Sequence, residues 1–168
     1  MAATLSLHVY TSTNAATESS AVTGIDLVSA DNATNTVGNR QSYPVVVGTN
    51  SYEKYMRMKI DVAPANGVGS FKFWTTTSAV SNVLFKAKMA IGSGGATPGT
   101  GGSTPVNTAM AGSSDAYTFT SGAKGNWDTA SYVTINNVTK AFVLQLQPNG
   151  SATPGDWACT CNWSYDES

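Results

Sequence analysis

The chain has 168 residues, a formal net charge of −1 and only 11% charged residues, against about 25% in an ordinary soluble domain. That length fits one domain able to build a core without disulfides or metal, because a chain of this size buries roughly two-thirds of its unfolded surface. Its nine Lys and Arg are scattered, so no long-range field draws in nucleic acid or an anionic membrane, and neither is expected as a partner.

The first ten residues have no basic stretch followed by an apolar run, so no secretory signal is read and synthesis in a cytosol is expected. Leu5, Leu7 and Val9 alternate with Ser6, His8 and Tyr10, a first strand. After a polar stretch, 11–24, short strands are expected at Ile25–Val28 and Pro44–Val47. A longer one runs from Tyr52 to Ile60. One face of it carries Met56, Met58 and Ile60, and the other Tyr55, Arg57 and Lys59. The turn Pro64-Ala65-Asn66-Gly67 contains Asn-Gly, a hairpin signal. Alternation resumes over Ser70–Thr75 and Val83–Met89.

Residues 92–114 then form a long Gly/Ser/Thr/Pro loop that includes Gly94, Gly95, Gly101 and Gly102. Loops of this length are flexible or functional. Further strands are expected at Ala116–Thr120, Tyr132–Ile135 and Ala141–Gln147, with at most one helical turn at Asn126-Trp127-Asp128-Thr129. The last strand, Trp157–Tyr165, alternates Trp157, Cys159, Cys161, Trp163 and Tyr165 on one face and reads as buried and central to a sheet. About nine or ten short strands divided by turn signals predict an all-β fold. The expected form is a single domain, 1–168: a two-sheet antiparallel β-sandwich, jelly-roll-like, with one long Gly/Ser-rich loop.

The residues give catalysis little to work with. His8 is the single histidine, expected in solvent on the polar face of its strand, with no second histidine for a metal site or a proton relay. The ten acids are dispersed; Asp31 with Asn32 and Asn35, or Asn126 with Asp128, offers two or three loop oxygens for calcium, or simply loop decoration. Cys159 and Cys161 are two apart, which in a strand separates their sulfurs by about 7 Å and suits two buried hydrophobes better than a bond. No phosphate-binding loop and no nucleophile elbow is present. The expectation is a protein without enzymatic activity, cofactor or metal. Tyr10, Tyr55, Trp74 and Trp127 fall on outer faces or in loops. There they could stack on sugar rings, anchor a protein interface, or lie under loops and against the second sheet.

Two stretches carry a resemblance. One is Gly48-Thr49-Asn50-Ser51-Tyr52-Glu53-Lys54-Tyr55-Met56-Arg57-Met58-Lys59, continued by Val68-Gly69-Ser70-Phe71-Lys72-Phe73-Trp74. The other is the ending Thr153-Pro154-Gly155 with Trp163-Ser164-Tyr165-Asp166-Glu167. Both resemble small β-sandwich virion structural proteins of tailed bacteriophages, of the head decoration or cement type. The resemblance implies a many-copy protein assembled in the host cytoplasm. It would be bound to the major capsid protein or other virion proteins, and would often be a trimer. Neck or tail placement is the alternative within that class, and a carbohydrate-binding attachment module is the alternative outside it. Interface contacts are expected at Tyr55, Arg57 and Trp127 and on the glycine loop, with 92–114 or 11–24 as an extended arm.

Overall fold

The computed structural model describes residues 2–92, 94, 104–155 and 157–167. Its strands are β1 (Thr4–Thr11), β2 (Thr17–Val22), β3 (Lys54–Val62), β4 (Val68–Thr75), β5 (Val83–Ile91), β6 (Ser114–Asp115), β7 (Gly125–Asp128), β8 (Ala141–Pro148) and β9 (Cys161–Glu167). One short helix, α1 (Val37–Ser42), and two 3-10 turns, Thr13–Ala15 and Ala116–Thr118, complete the described elements. The strands form two sheets, ordered β2-β1-β3-β8-β5-β6 and β7-β4-β9, with antiparallel pairings. The fold is therefore all-β, a two-sheet antiparallel sandwich, as the alternation predicts.

The core lies between the sheets. Leu7, Val9, Met56, Ile60, Phe85, Ala87, Phe142 and Leu144 come from the larger sheet and meet Val68, Phe71, Phe73 and Trp127 from the smaller one. Period two explains the assignment: residues that share a face in β1, β3, β5 and β8 all point inward. The rings at the centre are tightly associated, with Phe73 and Phe142 centroids 4.4 Å apart and Trp127 5.4 Å from Phe142.

The larger sheet is also covered on part of its outer face. Tyr10, Ala15, Tyr55, Met110, Ala141 and Val143 make a second apolar cluster there. Residues 104–113 are tied across β8 by the buried Gln145, whose Oε1 accepts from Met110 N (3.0 Å) and whose Nε2 donates to Thr108 O (2.8 Å). The back half of the expected long loop is thus held by the chain's own sheet, and its end forms β6. Residues 95–103 of that loop lie outside the described residues.

Several expectations are corrected. The polar stretch 11–24 is no free arm: it supplies a 3-10 turn and β2, which pairs with β1. Ile25–Val28 and Pro44–Val47 are irregular, although Ile25, Leu27 and Val28 still pack inward. Helix α1 had no periodic signal; its Thr36 cap hydroxyl accepts from Asn39 N at 3.1 Å. The Asn66-Gly67 turn does not close a hairpin, because β3 and β4 belong to different sheets; Gly67, with φ of +111°, carries the crossing. Asn126-Trp127-Asp128 is strand, not a helical turn. Ala116–Thr118 is a 3-10 turn, and Tyr132 makes only an isolated bridge with Val68. The last strand begins at Cys161 and lies at the edge of the small sheet, half-buried rather than central.

Candidate interaction surface

One end of the sandwich gathers the end of β1, the starts of β3 and β5, and the end of β8. The irregular chain around it is bound together by backbone hydrogen bonds. Ser29 N donates to Tyr43 O (3.0 Å), Tyr52 N to Val28 O (2.9 Å), Gly48 N to Pro148 O (3.2 Å), and Ser51 N to Leu146 O (2.9 Å). Asn149 N donates to Asn82 O (2.9 Å), and Glu53 N to Val106 O (2.9 Å). Four segments, 28–54, 79–84, 104–109 and 146–152, are stitched into one surface by these bonds.

Six of the eight large apolar side chains exposed among the described residues stand on these segments: Val37, Tyr43, Val46, Val80, Leu84 and Val106. Val37 and Val46 are 60% and 62% exposed. Val133 and Ile135 are at the opposite end, where Asn136 N donates to Ile60 O. The four segments hold only four charged residues, Asp31, Arg40, Glu53 and Lys54. Each is drawn inward or paired. Lys54 is fully buried, and its Nζ donates to the carbonyls of Ala30 (2.8 Å) and Asn32 (2.6 Å). Burial pulls its ammonium down to about 8, with Asp31 and Asp26 opposing the change. Arg40 Nη1 donates to Asp26 Oδ1 at 2.7 Å, and the other Asp26 oxygen accepts from Thr36 N and Asn39 Nδ2. Asp31 Oδ2 accepts from Ser12 N. Apart from the ion-paired Arg40, whose side chain is 40% exposed, what this end turns outward is apolar, hydroxyl and amide surface. Of the oxygens of the suggested calcium loop, the Asn32 carbonyl accepts from Lys54 and one Asp31 carboxylate oxygen from Ser12, while Asp31 Oδ1 is buried without a hydrogen-bond partner.

The residues singled out from sequence lie elsewhere. Tyr55, Arg57 and Trp127 are 5%, 2% and 1% exposed, so the expectation that they present outer surface is corrected. Trp127 donates from Nε1 to Lys140 O at 2.7 Å within the main core. Arg57 donates to Thr139 O (2.8 Å) and stacks its guanidinium over the Tyr10 ring. Tyr55 sits under residues 104–113 with its hydroxyl donating to Glu53 Oε2 at 3.3 Å. Gly94 lies so close to the Tyr132 hydroxyl and the Val138 carbonyl that a Cβ there would collide with both. Gly95, Gly101 and Gly102 are outside the described residues.

Groups with chemical potential are spread apart. His8 is buried, not solvated: Nδ1 donates to Ser19 O (2.8 Å) beside Glu18, and Nε2 meets Ser6 Oγ (2.9 Å). A cavity of about 270 Å³ is lined by Glu53, Tyr55, Lys88 and Met110 among others. Burial pushes the Glu53 carboxyl above the usual range, and the Lys88 ammonium there is engaged by Ala111 O. Among the described residues no three His, Cys, Asp or Glu side chains converge as metal ligands, and no helix is long and apolar enough to cross a membrane. Trp74 is half-exposed on the outer face of the small sheet, with Lys124 Nζ 4.2 Å over its ring, where a sugar would have to stack. Comparison with known proteins found no matching family model, no matching curated protein and no matching solved structure.

Proposed function

We propose that this chain is a non-enzymatic virion structural protein of the capsid decoration or cement type. In this reading its apolar end docks on the major capsid protein shell, in host cytoplasm during assembly and then in the virion. The observation that carries docking is the concentration of exposed apolar side chains on a surface whose four charged residues are buried, ion-paired or hydrogen-bonded to backbone. Such a surface, with polar hydroxyls and amides around it, matches the composition of protein interface cores, which are depleted in charge. The virion setting rests on the resemblance of the two stretches quoted above. Cement proteins act in many copies, so each interface can be modest while the array is firm. A homo-oligomer, a trimer first, presents several such ends at once.

A neck or tail component uses the same surface on a different partner. The glycan-binding alternative has less support, since the Lys124 ammonium covers the Trp74 ring. Sedimentation of the purified protein, alone and mixed with shells lacking it, tests the proposal. Saturable binding in fixed ratio to the major capsid protein is the expected result. Failure to bind shells, with a signal on a glycan array, would replace the proposal with the attachment reading.

A further inference from the structure

The cavity under residues 104–111 is floored by β3, β8 and β5 of the larger sheet. Tyr55 of β3 and Lys88 of β5 both pair with Val143 of β8. Their side chains therefore stand on the outer face at either side of Val143, with backbones about 10 Å apart. Glu53, two residues before Tyr55, points to the same side and lines the cavity with Lys88. Glu53 is 7% exposed, and its Oε2 accepts from the Tyr55 hydroxyl at 3.3 Å. Lys88 Nζ donates to Ala111 O at 3.0 Å. Among the described residues neither is in an ion pair, with the other or with any third group. One cavity thus holds an acid and an ammonium on opposite walls, each with neutral partners. Val143, Ile91 and Met110 give it apolar wall, and Thr104 and Thr108 stand exposed at its solvent side.

We propose that this cavity binds a small ω-amino acid, its ammonium on Glu53, its carboxylate on Lys88 and its methylene chain on Val143, Ile91 and Met110. A carboxylate this buried is costly without a cation beside it, and burial already pushes the Glu53 carboxyl above its usual range. A simple amine would pair with Glu53 but bring its charge toward Lys88, and a simple carboxylate would do the converse. A zwitterion serves both walls at once. Charges separated by several methylenes match a floor whose middle is the apolar Val143. The volume of about 270 Å³ falls below the about 300–1,000 Å³ of sites for drug-sized ligands, which limits the occupant to a small molecule. This inference goes beyond docking on a shell and does not depend on it.

The test is calorimetric titration of the full chain at neutral pH with the ω-amino acids from glycine to aminohexanoate, and with pentylammonium and pentanoate. One chain length of the series should bind best, and at least about tenfold more tightly than either singly charged compound. Lys88→Met should abolish the preference for that amino acid over pentylammonium, and Glu53→Gln its preference over pentanoate. Three results would each overturn the proposal: no saturation by any amino acid at millimolar concentrations, a singly charged compound binding as tightly, or a preference unchanged in Lys88→Met. Lys88 is only half-buried, so that variant decides the matter if Glu53→Gln misfolds.

Discussion

At the scale of single residues, most of the buried polar chemistry here serves structure. Trp127 combines a ring stacked among Phe71 and Phe142 with an indole N–H given to Lys140 O. Trp127→Ala should cost about 3–5 kcal/mol of stability in urea unfolding, the range for a large aromatic removed from a core. Lys54 gives a pH signature. Its ammonium, with an ordinary value of 10.5, is brought down to about 8 by burial, against the attraction of Asp31 and Asp26. Between those values the unfolded chain holds a proton that the folded chain has released, so stability rises with pH across that window and is lowest below about 8. Relative to Lys54→Met, the wild type should gain up to about 3 kcal/mol from pH 7 to pH 10.5; a pH-independent difference between the two would refute this. Neither residue's environment was legible in sequence. Trp127 is the one large apolar residue of a four-residue strand, too short to show a period, and Lys54 looks like any strand lysine until loop 28–32 closes over it.

At the scale of elements, alternation located β1, β3, β4, β5 and β8 well, because each has one face in the main core. It failed where burial comes from both sides. Tyr55 reads as an outer face, and Val143 and Gln145 alternate with the core residues Phe142 and Leu144, yet residues 104–113 cover all three, and a Gly/Ser/Thr/Pro segment carries no periodicity from which such a cover could be foreseen. Gln145 is the fastening of that cover. Gln145→Leu should leave Met110 N and Thr108 O without these partners and loosen the segment by about 1–3 kcal/mol, seen as faster amide hydrogen exchange at Met110 with β3 unchanged. Helix α1 depends on its cap, so Thr36→Ala should cost about 1 kcal/mol in thermal or urea unfolding. The strand expected at Trp157–Tyr165 differs for a related reason: five large or apolar residues in alternation indicate one buried face, and an edge strand can supply that as well as a central one.

At the scale of the whole molecule, the low charge evident in the sequence is unevenly distributed in the fold. Charged pairs such as Lys59–Glu18 and Lys72–Asp166 lie away from the end that exposes Val37, Tyr43, Val46 and Val80. Composition suggests a surface suited to neighbours; the hydrogen bonds linking four distant segments form the end that gathers most of the exposed apolar side chains. The most direct measurement is co-sedimentation of shells with wild type and with the Val46→Asp, Val80→Asp double variant. Both positions are exposed, so folding should be unchanged by circular dichroism. Placing two unpaired carboxylates in a desolvated contact should weaken binding at least about a hundredfold. Wild-type binding that the double variant matches would contradict docking through this end.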